Sequence, residues 1–180
     1  MIIEEFQDVN QLHYTRAVIL ETLRLYPPAP MTTRTSEKSM ELHGHVFAKG
    51  TAMFVPIWSI QRDARNFPRP TKVRPDRWVR RCDSGSGWEE RPQDDDNNDT
   101  SNSNSVPPAN TDAFCVFAAG ARNCVGRKLA MQEAVTLLAL LLRKLQFQLI
   151  DETYRVQPTL TSVVQQPAEG LPMIITPRKY

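Results

Sequence analysis

The chain has 180 residues, with 22 lysines and arginines against 20 aspartates and glutamates and a net charge of +2, and this length predicts one domain. Residues 83–112 carry a net charge of −7 and the remainder +9. No zinc-finger, helix-turn-helix or RNA-binding signature accompanies the basic part, so nucleic acid is not an expected partner. Three cysteines are too few for a disulfide framework, which fits a reducing compartment. No secretory signal or membrane-spanning apolar run is recognisable.

The first predicted elements lie in residues 10–82. Apolar residues at helical spacing predict a helix over residues 10–26, which the prolines Pro27 and Pro28 end. Short alternating runs around two glycines predict strands, for example over residues 45–48 and 51–56. The following stretch is rich in proline and arginine, which indicates irregular structure with a short helical turn near residues 59–63.

The second half of the chain opens with a segment of very different composition. Residues 83–112 are mostly Gly, Ser, Asn, Asp and Pro with one aromatic residue, Trp88, and we expect them to be disordered and removable without loss of the fold. Alanines and leucines at three- and four-residue spacing then predict the strongest helix of the chain over residues 128–145. From residue 147 onwards the pattern predicts strands around a turn at residues 167–172.

Residues 117–126, with the sequence FAAGARNCVG, are the most informative part of the chain. Cys124 lies on a glycine-flanked loop directly before the long helix. The cation of Arg122 and the N-terminus of that helix would both favour a thiolate, the form of cysteine that binds metals. Gly120 and Gly126 would let the backbone turn tightly or approach a flat ligand. Taken alone, Cys124 could also be a buried structural cysteine.

Two shorter patterns precede this loop. Glu21 and Arg24 stand three residues apart on the first helix, where they face the same side. By itself this spacing is more often an exposed ion pair of small energetic value. The second pattern, Pro-Asp-Arg-Trp, contains Arg77 and lies before the cysteine loop.

The series Glu-x-x-Arg, Pro-x-Arg-Trp and Phe-x-x-Gly-x-Arg-x-Cys-x-Gly resembles the motif order of the cytochromes P-450, the haem-thiolate monooxygenases. The resemblance implies a mainly α fold with small β-sheets, of which this chain is an incomplete, C-terminal, haem-ligand part. It implies three regions: residues 1–82 with the helix, strands and Pro-Asp-Arg-Trp segment, residues 83–112 as an acidic insert, and residues 113–180 with the cysteine loop, helix and terminal strands. Some fungal members carry insertions at this place, which favours a fungal type.

The same resemblance implies the site residues. Cys124 would be the axial ligand of the haem iron, and the haem would also contact Phe117, Gly120, Arg122 and Gly126. Arg122 and Arg34 would bind the haem propionates, although Arg34 could equally be a solvent-facing base. The family's buried charge network behind the haem corresponds to Glu21, Arg24 and Arg77, which would hold the cysteine loop in place. No catalytic residue is assigned.

The implied reaction is insertion of one oxygen atom from O2 into a hydrophobic organic substrate. The cofactor would be haem, and electrons would come from an NADPH-dependent flavoprotein reductase or another acidic donor. The parent enzyme would lie at the cytosolic face of the endoplasmic reticulum membrane, although this chain shows no anchor. The family's membrane anchor and oxygen-activating helix have no counterpart here, so we expect a truncated chain that is inactive alone. The alternative is a non-catalytic fragment or degenerate copy that acts at most as a partner-binding module.

Two further patterns have a structural and a functional interpretation. His43 and His45 could bind a metal from one strand face, but no third ligand is near in sequence, so we expect turn residues. A basic tract of eight residues within residues 62–81 is either a solvated face or a docking site for an acidic electron donor. Its members are Arg62, Arg65, Arg69, Lys72, Arg74, Arg77, Arg80 and Arg81.

Overall fold

The computed structural model describes residues 9–82, 87–91, 110–161 and 164–179. Within them lie three α-helices and ten short strands. The helices are α1 (His13–Leu25), α2 (Ile57–Ile60) and α3 (Arg127–Lys144). The strands are β1 (Thr32–Thr35), β2 (Met40–Leu42), β3 (His45–Phe47), β4 (Ala52–Val55), β5 (Val79–Arg81), β6 (Trp88–Glu90), β7 (Leu145–Leu149), β8 (Pro158–Thr161), β9 (Val164–Pro167) and β10 (Met173–Pro177). The predicted helices 10–26 and 128–145 are therefore confirmed apart from their terminal residues.

All strand pairs in the described residues are two-stranded and antiparallel. Three are local hairpins: β2 with β3, β5 with β6, and β8 with β9. The other two pairs, β1 with β4 and β7 with β10, join strands that are farther apart in the chain. His43 and Gly44 form the two-residue turn between β2 and β3, and both have positive φ, 50° and 77°. Such turns match the twist of a hairpin. The interpretation of His43 as a turn residue is thus confirmed, whereas His45 is the first residue of β3.

The core lies where α1 meets the segment that contains β5. Its buried apolar members are Ala17, Phe67, Trp78, Val79 and Ala113. The edge-to-face packing of Trp78 on Phe114, with ring centroids 4.9 Å apart, joins this core to the segment that leads into the cysteine loop. The position of that loop therefore depends on a core built from three separate parts of the sequence.

Parts of the acidic insert predicted over residues 83–112 have a defined structure. Trp88–Glu90 forms β6, which pairs with β5, and the Trp88 ring packs 4.9 Å from Tyr14 and lies under the Arg81 guanidinium. Thr111–Ala113 forms a 3-10 turn capped by the side chain of Asn110. The prediction of disorder for residues 83–112 is wrong at residues 88–90 and 111–112, because Trp88 packs against the core and the Asn110 side chain caps the 3-10 turn. Residues 83–86 and 92–109 lie outside the described residues.

Helix α3 buries a narrower face than its sequence indicates. Its buried residues are Met131 and Val135, which are four residues apart and lie on one side of the helix. Leu137 is 60% exposed and Leu141 is 44% exposed, although both belong to the apolar pattern that predicted the helix. The helix packs mainly against α1. Leu140 and Leu142 of the same helix are also exposed, at 38% and 42%.

Candidate functional site

The cysteine loop folds back on itself by short backbone hydrogen bonds. The Cys124 amide donates to the Phe117 carbonyl at 2.8 Å, and the Ala118 amide donates to the Cys115 carbonyl at 2.9 Å. Ala118 and Gly120 both adopt positive φ, 57° and 72°, which produces the reversal. A 3-10 turn over Gly120–Arg122 then places Cys124 three residues before α3.

The Cys124 thiol is exposed, and it lines an open groove at the start of α3. The groove is bordered by Arg16, Asn123, Val125, Arg127 and Lys128. Val125, which lines the same groove, is fully exposed, so apolar surface lies near the thiol. A Cβ placed on Gly126 would be 3.9 Å from the Cys124 sulfur, which is ordinary contact. Crowding among the described residues therefore does not explain why residue 126 is a glycine.

The other two cysteines are less accessible. Cys82 and Cys115 are partly buried. Burial raises the pKa of the Cys115 thiol, because a thiolate is less well solvated there. Among the three cysteines, Cys124 is therefore the one that an external ligand can reach most readily.

A network of buried charged side chains is centred on the second half of α1. Glu21, Arg24 and Arg77 are at most 1% exposed. Arg24 binds Glu21 through two parallel hydrogen bonds of 2.8 and 2.9 Å. Arg77 donates to the same carboxylate at 3.3 Å, and its terminal nitrogen donates to the carbonyls of Pro68 and Arg69. The structure thus brings together the three residues of the predicted network.

Three partners of the network were missed in the sequence. The Trp78 indole donates to Glu21 at 3.0 Å, and the backbone amide of Arg74 donates to Glu21 at 3.0 Å. Gln61 is buried. Its backbone carbonyl accepts a hydrogen bond from the Arg24 guanidinium, and its side-chain amide donates to the backbone carbonyl of Arg24. Trp78 follows Arg77 directly, so its place in the Pro-Asp-Arg-Trp pattern was a usable signal. The sequence around Gln61 offered none.

The hydrogen bonds decide the ionisation of Glu21. Burial alone would raise the pKa of this carboxyl. The hydrogen bonds from Arg24 and Trp78, the positive charge of Arg24 and the Arg74 amide outweigh burial and hold the pKa below its usual value. A buried ionised carboxylate with this many donors is stable, whereas one without them would be costly.

The remaining predicted site residues lie at the surface of the described part. Arg122 is exposed in the 3-10 turn before Cys124. Arg34 is half-buried in β1, opposite Met53, and donates to Thr33 and Thr32. Phe117 is half-buried and lies beneath the Arg127 guanidinium, 5.8 Å from the ring centroid.

The basic tract is not one continuous charged face. Arg77 belongs to the buried network. Arg62 stacks on Trp58, and burial lowers its pKa to about 10. Others have acidic neighbours: Arg65 with Asp63, Arg74 with Asp76 and Arg80 with Glu89. Only Arg69, Lys72 and Arg81 are exposed members of the tract without a described acidic partner. A docking surface built from all eight residues is therefore wrong.

No group of three His, Cys, Asp or Glu side chains suited to a metal ion lies in the described residues. A single cysteine thiolate that binds an iron already held by a porphyrin needs no such group. Within the same residues, no helix is both long and apolar enough to cross a membrane.

Comparison with known proteins gives a family match and several similar proteins. A family profile for cytochrome P450 matches residues 4–172. The chain is 33% identical to probable cytochrome P450 4s3 of Drosophila melanogaster over 97% of its own length and 30% of that protein. It is 33% identical to cytochrome P450 4V2 of Mus musculus over 77% of its length and 22% of that protein. It is 30% identical to cytochrome P450 3A29 of Sus scrofa over 96% of its length and 30% of that protein.

Two facts follow from these alignments. The chain spans less than a third of the length of these relatives. The relatives are animal proteins, so the expectation of a fungal type is not borne out. Since the family profile covers nearly the whole chain, this protein belongs to the cytochrome P450 family.

Proposed function

We propose that this chain supplies the thiolate side of the haem site of a cytochrome P450 monooxygenase, with Cys124 as the axial ligand. The observation that carries the proposal is the exposed thiol at the end of a folded loop, directly before α3. Among the three cysteines, Cys124 combines accessibility with the family's sequence pattern. Cys115, the nearest alternative in the sequence, is partly buried, and its raised pKa disfavours the thiolate.

The surroundings of Cys124 fit a haem. Val125 presents an exposed apolar side chain in the groove of the thiol, which suits the apolar face of a porphyrin. Arg122 is exposed two residues before the cysteine, and a guanidinium suits a propionate carboxylate. When bound, the haem iron with its thiolate ligand supplies the reductive activation of O2.

Each of the other loop residues has a role in this proposal. Phe117 and Gly126 would contact the haem from the loop and the start of α3, and Gly120 permits the left-handed turn between them. Arg34 would reach the second propionate. Its described hydrogen bonds go to Thr32 and Thr33 of its own strand, contacts that a carboxylate ligand could replace.

The buried network would position the loop rather than take part in chemistry. Glu21 binds the Trp78 indole, and the Trp78 ring packs against Phe114. Phe114 lies only three residues before Phe117, where the loop begins. The network can thereby fix the loop without touching the haem, as surrounding residues do for metal ligands in general.

We propose for the whole enzyme the partners and location that are usual in this family. The substrate would be a hydrophobic organic molecule, and one atom of O2 would be inserted into it. Electrons would come from an NADPH-dependent flavoprotein reductase at the cytosolic face of the endoplasmic reticulum membrane. Support for an acidic donor comes from the exposed bases Arg127 and Lys128, which border the groove of the cysteine.

Haem reconstitution tests the ligand assignment. The purified chain is mixed with haem, reduced and exposed to carbon monoxide, and the Soret band is recorded. We expect the red-shifted band of a thiolate ligand in the wild type and in Cys115→Ser, and its loss in Cys124→Ser. Circular dichroism of each variant would show that the fold is retained.

Two outcomes would contradict the proposal. If Cys124→Ser kept the thiolate band, another residue would be the ligand. If the wild type bound no haem although folded, the alternative of a non-catalytic chain that at most binds a partner would be favoured.

A further inference from the structure

A second cavity, of about 240 Å³, lies beside α1, and its apolar lining includes Trp78, whose indole nitrogen donates to the Glu21 carboxylate. Its walls come from the first half of α1, the end of β6, the 3-10 turn Thr111–Ala113 and the first residue of α3. Its polar lining consists of His13, Arg16, Glu90, Arg91, Thr111, Asp112 and Arg127. None of these residues belongs to the motifs that define the family.

Two nitrogen atoms at this cavity are buried without a hydrogen-bond partner, His13 Nδ1 and Arg91 Nε. Buried polar atoms almost always have a partner in a folded protein, and leaving one unpaired costs free energy. Arg91 Nε is always a donor, and His13 Nδ1 is a donor in one neutral tautomer and in the charged form. Arg91 Nε therefore requires an acceptor, and His13 Nδ1 can donate to the same acceptor when it carries a proton.

The charges in the lining favour an anionic acceptor. Three guanidinium groups line the cavity, against two carboxylates. Arg16 is neutralised by Glu90, with which it pairs at 3.1 Å. Two positive charges, on Arg91 and Arg127, then face one negative charge, on Asp112. The only polar contact described for the Arg91 side chain is a long hydrogen bond, 3.4 Å, to the Asp76 carbonyl. Guanidinium groups bind tetrahedral oxyanions through paired N–H donors.

We propose that this cavity binds a phosphate-type oxyanion through Arg91, Arg127 and His13. The Thr111 hydroxyl, which is also in the lining, can supply a further donor. Free phosphate and a phosphorylated serine or threonine side chain share this chemistry. None of the three residues is assigned to the haem, but Arg127 also borders the Cys124 groove and lies over Phe117. The phosphate titration is therefore made on the chain without haem, so that its result does not depend on the haem proposal.

The test is a titration of the full chain with inorganic phosphate at pH 7 and constant ionic strength, followed by 31P NMR or calorimetry. We expect saturable binding by the wild type. Arg127→Gln removes a charged donor, so affinity should fall by about tenfold or more. Lys49→Gln removes the same charge from an exposed position elsewhere and should leave affinity within about twofold.

A second pair of variants tests the same site in the opposite direction. Glu90→Gln releases Arg16 from its ion pair, so phosphate should bind more tightly by about threefold. Glu41→Gln makes the same change of charge on the exposed β2 and should have no such effect. Parallel titration with O-phosphoserine identifies the source, because the tighter of the two ligands indicates whether a free ion or a phosphorylated side chain is the natural occupant.

The proposal would be overturned by a wild-type chain that shows no saturable phosphate binding. It would equally be overturned if Arg127→Gln bound phosphate as the wild type does, or if Glu41→Gln tightened binding as much as Glu90→Gln. Arg127 is exposed, so its variant should fold and give a decisive result.

Discussion

Glu21, Arg24 and Arg77 are charged and buried, whereas Cys124 and Val125, at the other recognisable motif of the chain, are exposed. Most donors and acceptors of the buried group have a partner within 3.3 Å in the same chain, whereas Arg77 Nη1 and the side-chain oxygen of Gln61 have none among the described residues. The cysteine loop has its backbone satisfied but offers a thiol, a guanidinium and apolar side chains to the outside. A motif whose groups are satisfied internally stabilises a fold, and one whose groups face outward is available for a ligand.

We expect the largest loss of stability from a change in the buried network. Arg77→Ala should lower the free energy of unfolding by about 3–5 kcal/mol, because it leaves part of a buried carboxylate unpaired. Arg65 is the matched control: its side chain is 88% exposed and it also pairs with a carboxylate, that of Asp63. Denaturant unfolding of Arg65→Ala should match the wild type. Similar losses in the two variants would show that burial of the network does not matter.

Acid sharpens the comparison further. The pKa of Glu21 is lowered in the folded state, so its charge contributes stability above the ordinary carboxyl pKa of 4.5, and this contribution is lost as pH falls through the lower folded value. Unfolding measured between neutral pH and pH 3 should therefore show a steep loss of stability in the wild type. Glu21→Gln should be less stable at neutral pH but flatter across the acid range.

Glu41→Gln serves as the control for that experiment, because Glu41 is exposed on β2. It should keep the acid dependence of the wild type. An unchanged slope in Glu21→Gln would mean that other carboxylates cause the loss at low pH.

The smallest expected effect lies in the cysteine loop. Ala118 has φ of 57°, a left-handed conformation that costs an L-residue about 1–2 kcal/mol. Ala118→Gly relieves this cost and should raise the free energy of unfolding by about 1 kcal/mol, after the greater freedom of glycine in the unfolded chain is subtracted. Ala119→Gly is the control, because Ala119 is extended with φ of −145°, and it should be slightly destabilising. A loss in both variants would contradict a strained Ala118.

Local patterns predicted the local elements well. The prolines after α1, the His43-Gly44 turn and the leucine-rich α3 each have a cause within a few residues of sequence. The pattern did not predict that Met131 and Val135 would be the buried residues of α3, because burial of that helix depends on its contact with α1, which is distant in sequence. It also mistook Trp88 for part of a disordered segment, since pairing with β5 cannot be read from composition.

The sequence by itself determined the motif residues, their order and hence the family, because a thiol after a glycine-rich loop and an Arg three residues from a Glu are local facts. Only the tertiary structure decided that the Glu21–Arg24 pair is buried and that Trp78 completes it. The residues that desolvate and bind Glu21 lie 56 and 57 positions away. Local spacing cannot distinguish an exposed ion pair from a buried one, since the difference depends on which distant parts of the chain fold over it.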